Sequence, residues 1–195
     1  DVYSAIARQG YTHVIVLMIA ECLSSANNLM RLAAEEHPEL TVKVFDSKSA
    51  SIGLGALAVQ VARYAVRGVA FDPLQSGGRI GRGTALGGGL LQIKPILTFD
   101  RKDGMISTAA KVRGRRGVQQ RLIELATELA AKHPGEEYNL VVCDGNVPEE
   151  GAALEAALTR ALPNAHRVLH GKVDATLAVH LGPNLLGVGV QFLPA

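Results

Sequence analysis

The sequence predicts an α/β fold in two parts, and three observations carry that prediction. Two successive strand-then-helix patterns fill residues 12–66, the rhythm of a parallel βα layer. A glycine-dense stretch, Ser76–Gly89, then breaks the rhythm and holds seven of the chain's 21 glycines. Beyond it, Asp103-Gly104 gives a hairpin signal that opens a second alternation of helices and strands, as a mixed sheet requires. The expected organisation is an N-terminal α/β domain over 1–72 and a C-terminal α/β domain over 73–195 that contains a hairpin over 93–113.

Asp1–Gln9 reads as the end of a helix closed by Gly10. Thr12–Ile19 is a continuous apolar run of the kind buried on both faces of a parallel sheet. Residues 20–28 lead into a helix with Leu29, Leu32 and Ala33 along one side, which Pro38 cannot extend. Leu40–Phe45 is the second strand, followed by the polar turn Asp46-Ser47-Lys48-Ser49. The next helix, Ile52–Val66, is closed by Gly68, and its Gly53 and Gly55 predict close packing on the sheet. Residues 69–75 are too few for another βα unit, so the chain either crosses between domains there or lacks a segment.

Ile93–Asp100 and Met105–Arg113 flank the hairpin turn. A helix over Val118–Lys132 follows, burying Leu122, Ile123, Leu125, Ala126 and Leu129. Tyr138–Cys143 is a strand, Glu149–Ala161 a helix, His166–His170 a strand, Asp174–Val179 a short helix and Leu186–Phe192 the closing strand.

Bulk properties narrow the function classes. Hydrophobic content of 48% with 19% charged residues suits a globular α/β protein. No apolar run approaches the roughly 18–20 residues of a membrane span, so no stable membrane insertion is expected. Cys22 and Cys143 show neither metal-ligand spacing nor a disulfide framework, which favours a reducing cytoplasm. The chain opens on Asp1 rather than Met, so its natural start is expected upstream. Residues 79–121 carry a local charge of +8, leaving about −6 on a remainder whose overall balance is +2. That asymmetry points to an anionic ligand or an acidic partner surface. With aromatics at 4% and no Trp, nucleic acid is disfavoured as the partner.

Four polar features are candidate sites. Ser24, Ser25, Asn27 and Asn28 follow a strand and start a helix, which suits a carboxylate or phosphate, although spacing alone favours a plain helix cap at Ser24. Asp46-Ser47-Lys48-Ser49 lies at another strand's carboxyl end, with a polar turn as its bland alternative. Arg79 and Arg82 on glycine-rich backbone could clamp an anion, though the spacing matches neither phosphate-loop nor dinucleotide fingerprints. His180, in His180-Leu181-Gly182-Pro183, could donate to an anion or simply end a short helix. No metal-ligand spacing, nucleophile elbow or carboxylate pair is visible, so neither a metal nor a catalytic residue is expected.

Leu23-Ser24-Ser25-Ala26, Phe45-Asp46-Ser47 with Gly53-Leu54-Gly55, Gly77-Gly78-Arg79-Ile80, Lys94-Pro95-Ile96-Leu97, Asp103-Gly104, Lys111-Val112-Arg113 and His180-Leu181-Gly182-Pro183 occur in the order expected of DegV-family proteins. The chain resembles that family over nearly its whole length. The resemblance implies a two-domain bacterial α/β protein, non-catalytic and without a cofactor, that binds a long-chain fatty acid in the cleft between its domains. It also implies a fatty acid kinase as partner, to which the carboxylate is presented.

On the same resemblance, Ser24 hydrogen-bonds the carboxylate, His180 and Gly182 border the head group, and Arg79 lies near the same cleft. Asn28 joins them from the Ser24 turn, while Arg113, Arg115 and Arg116 form the basic segment that docks the kinase. Gly87–Gly89, Leu90, Leu91, Ile93 and Ile96 are expected to wall an apolar slot. Each buried methylene contributes roughly 0.8 kcal/mol, so an acid of about 14–16 carbons would draw most of its affinity from such a slot.

The chain also departs from the family pattern. Ser-Gly-Thr is usual where Ser25-Ala26 follow Ser24, and small hydroxyl residues are usual where Ala20 and Glu21 stand. Glu21 would repel a carboxylate unless it points away. The family has a further segment between the helix ending near Gly68 and Gly77, and another ahead of Asp1. The alternative reading from another class is an enzyme acting on a small phosphorylated metabolite.

Overall fold

The computed structural model describes residues 2–67, 93–100, 102–173, 178 and 184–193. Within them, α1 (Val2–Arg8) ends at Gly10, whose φ of +83° is the left-handed conformation expected of a helix-closing glycine. Tyr3 is 1% exposed; its hydroxyl donates to Met30 O at 3.1 Å and its ring tilts against His37, which ties α1 across the next helix.

β1 (His13–Met18) and β2 (Thr41–Asp46) pair in parallel, with His13 opposite Thr41 and Met18 opposite Asp46. Their connection is α2 (Ala26–Glu35), the βαβ unit that parallel pairing demands. The apolar run of β1 is half-buried rather than buried on both faces, because β2 is its single strand neighbour among the described residues.

α2 is rotated from the expected face. Leu29 and Leu32 point outward and Asn27 is fully buried, its Nδ2 donating to Ile19 O at 2.8 Å. Pattern favours leucines inside, but the buried amide and the Tyr3 bond to Met30 set the rotation.

α3 (Ser51–Val66) packs on β1 and also on the second sheet. A Cβ on Gly53 would meet Ser49 Oγ, and one on Gly55 would meet nothing, so these glycines do not mark close packing on the sheet. The close approach comes at the start of the helix, where Ile52 Cδ1 lies 2.5 Å from the position of a Cβ on Gly171.

β3 (Ile93–Phe99) and β4 (Ile106–Arg113) form the antiparallel hairpin, with a register shift at Ile96/Leu97 beside Pro95. α4 (Gly114–Ala131) starts four residues earlier than the sequence suggests. Glycine reads as a breaker, yet first-turn N–H groups have no intrahelical partner, so Gly114 and Gly117 do little harm there.

The second sheet has the order β6-β5-β7. β5 (Tyr138–Asp144) runs parallel to β6 (Arg167–Lys172) and antiparallel to β7 (Leu186–Phe192). Every residue of β5 is buried. Leu140 and Val142 face α4 and α5 (Pro148–Ala161), joining Leu122, Ala126, Leu154, Leu158 and Ile96 in the core. Burial of a leucine such as Leu158 contributes about 1.5–3 kcal/mol. On the opposite face, Gln191 bridges Asn139 to the backbone of Ala56 in α3. The expected boundary at 72/73 lies outside the described residues, as does the predicted helix over Asp174–Val179 except for helical Ala178.

Candidate functional site

The candidate site lies at the carboxyl ends of β1 and β2, the end at which open parallel sheets bind ligands. Their two following loops are stitched together by backbone. Ala20 N–H donates to Ser49 O at 2.9 Å, and Ser47 N–H donates to Met18 O at 3.1 Å. Asp46 Oδ1 accepts the N–H groups of Glu21 at 3.2 Å and Lys48 at 2.9 Å.

Asp46, Ser47 and Lys48 therefore hold the loops rather than present a ligand set. Ser47 Oγ accepts the Ser49 amide and donates to the Ser49 carbonyl, and Lys48 Nζ donates to Lys102 O at 2.6 Å. For Asp46–Ser49 the polar-turn reading is the one the structure supports.

The hairpin turn Asp100–Met105 closes over these loops. Asp100 O accepts the Gly104 amide and Asp103 Oδ1 accepts the Met105 amide. Cys22 Sγ donates to Gly104 O at 3.1 Å. Partial desolvation, then the nearby Asp46 charge, holds the exposed Cys22 thiol above its ordinary pKa, so it is a poor nucleophile. Gly104 has φ +76° and lies tightly against Ala20 and Lys48, a position that favours glycine.

Ser24 is half-buried at the entry to α2. The N-cap position is Ser25, whose side chain makes no capping bond. Ser24 Oγ instead accepts the N–H of Ala26 at 3.2 Å, and among the described residues it donates to nothing. One turn on, Asn28 is exposed, and its Oδ1 accepts from Arg31 at 3.0 Å. Arg31 also holds Glu21 Oε1 at 2.5 Å. The repulsion expected of Glu21 is therefore met by a cation that sequence reasoning missed. Its signal was the spacing of Asn28 and Arg31 on one helix face.

A second polar cluster, also missed, lies at the carboxyl end of β5. His170 Nε2 approaches Asp144 Oδ2 at 3.2 Å and its Nδ1 approaches Glu155 Oε2 at 2.5 Å. Hydrogen bonding to Glu155, then to Asp144, raises the His170 pKa. Asp144 is 1% exposed and also accepts the Val147 amide. No spacing in the sequence announces this cluster, because sheet register makes it.

Arg113 and Arg116 are exposed, as a docking surface needs, but Arg115 is not free. Its Nε pairs with Glu150 at 2.6 Å and its guanidinium donates to Asn184 O, so it fastens α4 to α5 and to the start of β7. Ile93 is exposed and Ile96 belongs to the core, so Ile96 is not a surface of an open slot. Arg79, His180, Gly182 and the wall over residues 87–91 lie outside the described residues. Among the described residues no cluster of His, Cys, Asp or Glu is arranged to hold a metal ion, and no helix is long and apolar enough to cross a membrane.

The model of the family described as uncharacterised protein, DegV family, matches residues 1–75 and 69–193. A DegV domain-containing protein of Clostridium perfringens is 29% identical, over 98% of this chain and 74% of its own length. One from Clostridium acetobutylicum is 30% identical, over 96% and 74%. The crystal structure of a fatty acid binding DegV family protein from Streptococcus agalactiae superimposes with a TM-score of 0.81 at 26% identity, covering 98% of this chain and 74% of that one. A DegV family protein from Corynebacterium glutamicum does so with a TM-score of 0.82 at 28% identity, covering 99% and 80%. With an α/β fold of the same kind and the match running along nearly its whole length, the chain belongs to the DegV family.

Proposed function

We propose that this chain is a fatty acid carrier, which holds a long-chain acid with its carboxylate at the Ser24 turn and presents it to a kinase for acyl-phosphate formation. The observation that carries the reading is the state of Ser24. Its oxygen is used by the Ala26 amide while its proton has no acceptor among the described residues, at the positive end of α2. A carboxylate there would take the hydroxyl proton and benefit from the helix end. The neighbours of known structure from Streptococcus agalactiae and Bacillus subtilis are described as fatty acid binding, which supports the same ligand class.

In this reading His180, Gly182 and Arg79 complete the head-group set, Asn28 offers its amide donors, and the acyl chain contributes most of the affinity. The carrier supplies no catalytic group and needs no cofactor. It works in the cytoplasm, and phosphoryl transfer belongs to the partner. Exposed Arg113 and Arg116 would meet an acidic kinase surface, with Arg115 acting as the internal fastener beneath them.

Native mass spectrometry of the purified chain tests the ligand, and a co-purifying mass of about 230–260 Da is expected for an acid of about 14–16 carbons. Ser24→Ala should weaken fatty acid binding by roughly 10-fold, the worth of a hydrogen bond to a charged group. Full affinity in Ser24→Ala, or a bound sugar phosphate in place of lipid, overturns the reading.

A further inference from the structure

The geometry points to Arg31 as the counter-charge for the ligand's carboxylate, with Glu21 as the resident carboxylate that Arg31 releases when the acid binds. The inference rests on the fatty acid reading above and names how the head group is neutralised. Ser24, Asn28 and Arg31 follow one another at intervals of four and three, the spacing that puts side chains along one side of a helix and its entry turn. The Arg31 guanidinium reaches back along that line. Its Nη1 donates to Asn28 Oδ1 at 3.0 Å and its Nη2 to Glu21 Oε1 at 2.5 Å, so its two partners bracket Ser24 in the chain.

A guanidinium has five N–H donors, and two are engaged by these described partners. The remainder can accept a second carboxylate in fork geometry. Glu21 itself shows that a carboxylate fits there. Both side chains of the pair are 44% exposed, and ion pairs at such exposure are weak and readily exchanged. Exchange of carboxylates on Arg31 also removes the difficulty Glu21 poses. Its charge is matched before the ligand arrives and swings into solvent afterwards.

Calorimetric titration of the full chain with oleate, and with its uncharged methyl ester, tests this. Arg31→Met should weaken oleate binding about 10-fold, the loss of one charge-assisted contact, and Arg31→Lys should recover part of it. Glu21→Gln should tighten oleate binding roughly 2- to 5-fold in dilute buffer, a gain that disappears at about 0.5 M salt. The methyl ester should bind all four proteins alike, which a merely structural role for Arg31 would not produce. If Arg31→Met does not fold, Arg31→Lys and Glu21→Gln carry the test alone. Oleate affinity unchanged in Arg31→Met, or no tighter in Glu21→Gln, overturns the role of Arg31 while leaving the carrier reading intact, provided Ser24→Ala still binds more weakly. A wild-type chain that binds no oleate overturns both.

Discussion

Replacing Gly104 by alanine probes the joint between the hairpin turn and the loops that carry Ser24. Two separate penalties can be worked out. Gly104 has φ +76°, where a Cβ costs about 1–2 kcal/mol of strain, offset by about 0.4–1 kcal/mol from a less flexible unfolded chain. The added Cβ would also lie 3.0 Å from Ala20 Cβ and 3.1 Å from Lys48 Cα. Ala20 is fully buried and the Lys48 contact is backbone, so neither can simply swing aside, and overpacking of this kind costs about 1–3 kcal/mol. The sum is about 1–5 kcal/mol, or a fall in melting temperature of roughly 2–20 °C for a chain of this size. Gly135 supplies the control. Its φ is +83°, and a Cβ there meets nothing within 4 Å, so Gly135→Ala should show the conformational penalty alone. Urea unfolding of both variants against wild type isolates the contact by difference. Equal losses would mean that the hairpin turn does not seat on the β1 and β2 loops in solution, and the frame drawn around Ser24 would fail with it.

Two further outcomes follow from the titratable groups. His170 has its folded pKa raised by Glu155 and Asp144, so the stability it contributes is complete below the ordinary histidine value near 6.5 and is lost as pH rises through the folded value. Thermal melts across that window should fall for wild type and stay flat for His170→Gln; parallel curves would refute the clamp. Burial, then the Asp144 charge, pushes the Cys143 thiol up to about 11, while Cys22 is exposed. Iodoacetamide at neutral pH should therefore modify Cys22 slowly and Cys143 only after unfolding, as peptide mass mapping can check; early labelling of Cys143 would contradict its burial.

The elements themselves were largely legible in the chain. Apolar runs flanked by turn residues located β1, β2, β5 and β7, and Asp103-Gly104 located the hairpin, because periodicity and turn chemistry are local properties. The order of short motifs from Leu23 to Pro183 was enough to indicate the family before any fold was in view. Local signals misled where backbone and tertiary contacts override them, as in the early start of α4 and the outward Leu29 and Leu32.

What the sequence by itself determined was the alternation of strands and helices, the family and the small set of polar residues from which a head-group site could be drawn. Only the tertiary structure decided which of those residues remain available. Among the described residues the Ser24 proton has no acceptor, whereas Asp46, Ser47, Lys48 and Arg115 are used to fasten loops and helices together. It also produced the Glu21–Arg31 pair and the clamp on His170, whose members lie 10 to 26 residues apart. The physical reason is that a hydrogen bond or ion pair depends on distances of about 3 Å, and at such separations those distances are set by helix rotation and sheet register, which no local pattern encodes.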